Sequence, residues 1–327
     1  MPKPNAREVF TILKSSVPEF LDDYALRLSA ALAFNAIFSI PPLLLIVIRA
    51  AGFFFGEQAV TGELYKQSRS LIGAEAAEGI QNILQNAQQN QESSGWAMWV
   101  GIGTLVFAST TFFATLQESL NSIWNLKVKP KSGIMRMVKV RAMSFGVVLS
   151  ISVLLLISLF ISTAISLVSD YISNNIPGLG VYVVRLIDLA ISLGLITLLF
   201  ALVFKYIPDA HIAWRDTWTG AFITAALFTI GKFLIGLYLG NSNPGSAYGA
   251  AGSIIIILVW IYYSSLIVFY GAEVTQQYSN RFGSKIVPKE HAVFVEEREV
   301  SYNPKDTTST NTGRPKSEGS FQERPRV

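Results

Sequence analysis

The chain has 327 residues, of which 51% are hydrophobic and only 15% charged, with a net charge of +4 and a mean hydropathy of +0.41. A soluble domain carries about 25% charged residues, and the deficit here falls in a few long stretches, so lipid is the solvent for most of the protein. The lack of cysteine excludes disulfides and thiolate chemistry, and the two histidines, His211 and His291, are too isolated in sequence to build a multi-histidine metal site.

From the N-terminus, residues 1–27 are polar and the first apolar run is too long for the core of a cleavable leader, so the first span itself is expected to direct insertion. Within residues 6–17, Val9, Phe10, Leu13 and Val17 share one helical face and Arg7 and Lys14 lie off it. That pattern predicts an amphipathic helix on the inner membrane surface, and residues 1–29 form a cytoplasmic N-terminal segment.

A hydrocarbon core about 30 Å thick needs roughly 20 apolar residues at 1.5 Å each. Six stretches meet this: 30–55, 96–117, 140–168, 181–204, 214–239 and 252–276. They are too long and unalternating for barrel strands, and open strands cannot satisfy their backbone in lipid. The expectation is an all-α integral membrane protein, with a six-helix domain over residues 30–278.

Orientation follows from Lys and Arg. Lys127, Lys129, Lys131, Arg136, Lys139 and Arg141 follow the second span, Lys205 and Arg215 flank the connection between the fourth and fifth, and the tail from Arg281 is basic. The segments 169–180 and 240–251 have neither residue, and 56–95 has only Lys66 and Arg69. The bias alternates, which predicts both termini in the cytoplasm and 56–95 as an outer loop, with helix over 74–89. Residues 279–327, rich in Pro, Ser, Thr and charge towards their end, read as a disordered cytoplasmic tail.

Polar residues inside the spans need partners or water. In the first span, Pro41 and Pro42 remove two helix donors and free the carbonyls of Ile37 and Phe38. Asn35 and Ser39 are near enough to help satisfy them, and the break is either a packing kink or part of a gate. Asp188 and Lys232 each lie seven residues from the outer end of neighbouring spans, roughly 10 Å deep. Arg185 shares the Asp188 face and Arg49 lies at similar depth. This set reads either as a cationic pocket for an anionic head group or as an ion pair with two snorkelling arginines.

The last span runs uncharged from Gly249 to Ala272 and then meets Glu273, with Tyr262 and Tyr270 on the same face. Glu118 occupies the matching inner end of the second span. Both carboxylates read as interfacial groups meeting the basic stretch 127–141, with proton coupling as the alternative. "GAAGS", residues 249–253, supplies small residues for close helix contact.

"LAFNAIFSIPPLLLI", "LQESLNSIW", "WRDTWTGAFITAALFTIGKFLIGLY" and "YGAAGSIIIILVWIYYSSLIVFYGAE" together resemble the signature segments of the YihY/BrkB family over about residues 5–282. The resemblance implies a six-helix bacterial inner-membrane protein. Some members carry a virulence label and some an old, misleading ribonuclease label. It implies no catalytic residues. The chain offers no clustered ligands for a metal-dependent nuclease and no nucleophile–base pair, so an enzyme is not expected, and neither is a cofactor, a metal or a nucleic-acid partner. The expected partners are membrane lipids and a carried anionic or amphiphilic solute, a lipid among the options. A non-transporting envelope scaffold is the alternative.

Overall fold

The protein is described here from a computed structural model, over residues 5–72, 77–81, 96–129, 146, 150, 153, 179–242 and 252–296. Seven helices order the described chain: α1 (Ala6–Asp22), α2 (Ala25–Phe55), α3 (Glu57–Ile72), α4 (Trp96–Ile123), α5 (Leu179–Tyr206), α6 (Trp214–Ser242) and α7 (Gly252–Phe282). Four short strands, β1 (Leu126–Val128), β2 (Ala210–His211), β3 (Val287–Pro288) and β4 (Ala292–Phe294), lie in the connections and after α7.

Five of the six predicted spans fall inside α2, α4, α5, α6 and α7. The span predicted at 140–168 lies outside the described residues, apart from helical positions at 146, 150 and 153. Among the described residues, three stretches are long and apolar enough to cross a membrane, Leu189–Tyr206, Trp214–Tyr238 and Ile254–Phe282. The two limbs of α2, Ala25–Ile40 and Pro42–Phe53, make a fourth if counted as one bent span. Large apolar side chains such as Phe222, Ile230, Phe233 and Leu237 of α6 stay exposed, as a lipid-facing helix requires.

α2 packs against both α4 and α7, and α6 packs between α5 and α7. The shared core joins Leu32 of α2, Leu120 of α4 and Trp124 just beyond it, Phe200 and Phe204 of α5, Ala221 and Ala225 of α6, and Phe269 and Ala272 of α7. α6 and α7 approach at their smallest residues. A Cβ on Gly220 would overlap the Thr275 side chain, and one on Gly271 would overlap Thr224. The two contacts are reciprocal, a glycine of each helix receiving a threonine of the other, which is the small-residue packing that brings helix backbones together in lipid.

Three sequence expectations are corrected by the described structure. First, α3 is a helix where a loop is predicted. Gly56, at φ +84°, turns the chain back in a region that favours glycine, and Val60 of α3 packs on Leu45, Ile48 and Ala51 of α2. The helix predicted over 74–89 is seen as helical at 77–81, and its other positions lie outside the described residues. Second, α1 has two apolar faces. Ile12 packs on Val274 and Tyr278 of α7 and Tyr270 Oη donates to the Leu13 carbonyl at 2.6 Å, while Phe10, Val17 and Leu21 are exposed.

The third correction concerns the expected tail, which does not begin at residue 279. α7 runs on to Phe282, β3 pairs antiparallel with β2, and β4 pairs antiparallel with β1. Residues 283–296 thus tie together the ends of α4, α5 and α7 by backbone hydrogen bonds, which composition cannot reveal. Residues 297–327 lie outside the described structure.

Candidate functional site

The outer cationic set is not assembled among the described side chains. Arg49 Nη1 meets Glu57 Oε1 of α3 at 2.5 Å, and both are solvent-facing. α3 therefore supplies Arg49 with its own acid, one hidden from a reading that left 56–95 as loop. The Arg185 and Asp188 side chains lie outside the described ones, and Lys232 is half-buried on α6 with interactions of its own.

At the proposed gate, α2 bends by 46° between Ile40 and Pro42. Asn35 does not serve the freed carbonyls. Its Nδ2 donates across to Thr115 Oγ1 of α4 at 2.8 Å. Ser39 is buried and its hydroxyl has no partner.

The strand-bearing end of the bundle carries a polar network missed by the sequence reading. Asn121 of α4 donates through Nδ2 to Asp209 Oδ2 at 2.9 Å, and Asp209 N–H donates back to Asn121 Oδ1 at 2.8 Å. The other Asp209 oxygen meets His291 Nε2 at 2.8 Å. Trp124, fully buried, donates its indole N–H to the Ala272 carbonyl at 3.0 Å. Asp216, in the first turn of α6, accepts from Ser279 Oγ at 3.1 Å and from the Ser284 N–H at 2.9 Å. Lys205 Nζ bonds the Ile212 carbonyl and lies over the Trp214 ring. Each of these groups has a partner, so the network braces the fold. Among the described residues no three His, Cys, Asp or Glu side chains converge as metal ligands.

The unpartnered groups lie elsewhere, on the two helices that form the α2–α7 seam. The two helices run antiparallel, since the C-terminal part of α7 sits against α1. Ser29 and Ser39 belong to the buried stripe of α2 that also holds Ala25, Leu32 and Ala36. On α7, Ser264 and Glu273 lie nine residues apart, two and a half turns, and so on opposite sides of the helix. Among the described residues, the hydroxyls of Ser29, Ser39 and Ser264 and Glu273 Oε2 are buried without any hydrogen-bond partner.

Glu273, expected at the inner end of the last span, is only 1% exposed. Its Oε1 accepts only from Gln277 Nε2, at 3.4 Å. Glu118 is exposed near the end of α4, and most of the basic stretch 127–141 it is expected to meet lies outside the described residues. The signal that could have marked Glu273 was its neighbourhood in sequence: Gly271, Ala272, Val274 and Thr275 are all residues that suit a buried helix face.

Comparison with known proteins places this architecture. The family model described as "Virulence factor BrkB" matches residues 16–295. The chain is similar to the UPF0761 membrane protein of Pseudomonas paraeruginosa, 27% identical over 260 residues, covering 77% of this chain and 59% of that one. It is also similar to the UPF0761 membrane protein of Ralstonia nicotianae, 27% identical over 258 residues, with 77% and 55% covered. That of Rhodospirillum centenum is 26% identical over 267 residues, with 81% and 56% covered. The chain thus spans less than two thirds of the length of these curated relatives. No solved structure matches it.

Proposed function

The chain belongs to the virulence factor BrkB family of membrane proteins, and on that premise we propose that it is a carrier or flippase for an anionic or amphiphilic solute, a lipid among the options. One observation carries the reading. An apolar bundle that only had to pack would bury apolar side chains on α2 and α7, yet among the described residues these two packed helices bury three hydroxyls and a carboxylate oxygen with no protein partner. Buried polar groups of this kind are normally satisfied, and in lipid they mark solute pathways. The 46° bend of α2 lies beside Ser39, and in this reading it is the hinge at which α2 moves. With Ser29 and Ser39 buried, the seam stands closed here, which suits one state of a carrier that opens alternately to either side.

In this reading the protein spans the bacterial cytoplasmic membrane six times with both termini in the cytoplasm, and its strand-bearing end faces inward. It performs no chemical step and needs no cofactor or nucleic acid. The test is reconstitution of the full-length protein into vesicles holding a fluorescent short-chain phosphatidylglycerol, quenched from outside. The lipid is expected to exchange between leaflets at least tenfold faster than in protein-free vesicles, and Pro41→Ala with Pro42→Ala is expected to slow it. Exchange no faster than in protein-free vesicles would contradict the proposal.

A further inference from the structure

Glu273 demands more explanation than the hydroxyls, because an ionised carboxylate in a low-dielectric interior is far costlier than an unpaired hydroxyl. Its surroundings give it no counter-charge. Among the described residues it has no ion-pair partner, Oε2 has no hydrogen bond, and Oε1 has one long contact to Gln277 on its own helix. The charged groups whose fields reach it, Asp23 and Glu19 at the α1–α2 junction, are acids too. A structural carboxylate would be met by a cation or by several donors, as Asp209 and Asp216 are met in this same molecule.

We propose that Glu273 is the binding site of a small monovalent cation, a proton or Na⁺, held in the buried α7 face near the α1–α2 junction. Bound there, the cation supplies the charge that the protein withholds, and the unpartnered Oε2 takes it. The inference rests on the carrier reading only for its use: a site on α7 can couple solute movement to the cation gradient, because the seam closes at lowest cost when Glu273 is neutralised.

The experiment measures thermal unfolding of the purified full-length protein against pH at fixed salt, and against NaCl replaced by choline chloride at fixed pH. A ligand bound only by the folded state stabilises it by mass action. In the range where the site fills, the wild type should gain roughly 3 °C in Tm per tenfold rise in the cation it takes. A response to pH alone identifies the proton, and a response to Na⁺ identifies Na⁺. Glu273→Gln should lose the response and melt at least as high as the filled wild type, whereas Asp23→Asn should keep it. A second readout is covalent modification of Glu273 by dicyclohexylcarbodiimide in membranes, followed by mass spectrometry and expected to fall severalfold when pH rises or Na⁺ is added. A Glu273→Gln protein with the same pH and Na⁺ dependence as wild type would overturn the site, as would modification indifferent to both. Neither readout needs transport, so a failure here and a failure of the carrier reading are told apart.

Discussion

Asn121 and Asp209 exchange two hydrogen bonds, at 2.9 and 2.8 Å, and so lock the end of α4 to the connection between α5 and α6. Asp209 is buried and uses its other oxygen on His291, so the three residues join α4, the α5–α6 connection and the chain beyond α7. Asn121→Leu removes a donor and an acceptor and strands Asp209. Leaving a buried polar group unsatisfied costs about 1–3 kcal/mol, and more for a charge. Asn121→Leu is therefore expected to lower the thermal midpoint by several degrees, with His291→Ala the milder change because His291 is half-buried. Melting curves of the two variants in detergent decide this ranking.

The strand pairings make a prediction about truncation. A chain ending after Glu296 keeps β3 and β4, whereas one ending after Phe282 loses both strands, the Ser284–Asp216 bond and the Lys289 bonds to Pro208 and Asp209. The longer truncation product should express and melt like the full chain. The shorter should be recovered at much lower level, read by fluorescence-detected size exclusion.

Gly220 and Gly271 set the spacing of α6 and α7. Gly220→Ala should be destabilised by about 1–3 kcal/mol through overpacking, because the atoms it meets belong to a β-branched threonine that is fully buried. Adding Thr275→Gly clears the space and should restore much of the loss, less about 1 kcal/mol for a glycine inside a helix. Equal stability of the single and double variants would show that the helices separate freely at this crossing.

Much of this fold could be read from the chain, and the part that could not has a physical cause. Helix positions followed from long uncharged runs, because in lipid the solvent dictates both length and secondary structure. The Pro41–Pro42 bend followed from the missing donors. The ends of the helices did not follow, since 118–124, 207–216 and 277–296 are polar stretches whose burial depends on one another. No pattern in 277–296 alone distinguishes a strand that pairs with 126–128 from a solvated tail. The Arg49 partner is likewise invisible until Glu57 stands on a returning helix, and the burial of Glu273 depends on neighbouring helices that one span alone does not show.

The Arg49–Glu57 pair is exposed on both sides, and exposed pairs contribute about 0–1 kcal/mol. Arg49→Gln should leave stability almost unchanged. Lipid exchange in vesicles should also be near wild type, since the side chain points to α3. A loss of exchange in a stably folded Arg49→Gln protein would return this residue to a solute site.

The seam between α2 and α7 is the centre of the account, and the chain's lack of cysteine allows it to be probed without background. Ser39→Cys and Ser264→Cys place one thiol each on the facing helices, and Lys127→Cys, exposed on β1, serves as the reactive control. The decisive measurement is the rate at which a membrane-impermeant, water-borne methanethiosulfonate reagent modifies each thiol in sealed membranes of either orientation. A seam that opens to carry a solute predicts that Ser39→Cys and Ser264→Cys are both modified, more slowly than Lys127→Cys, and that an anionic lipid or detergent competes. Full modification of Lys127→Cys with none at either seam position, from either side, would contradict it.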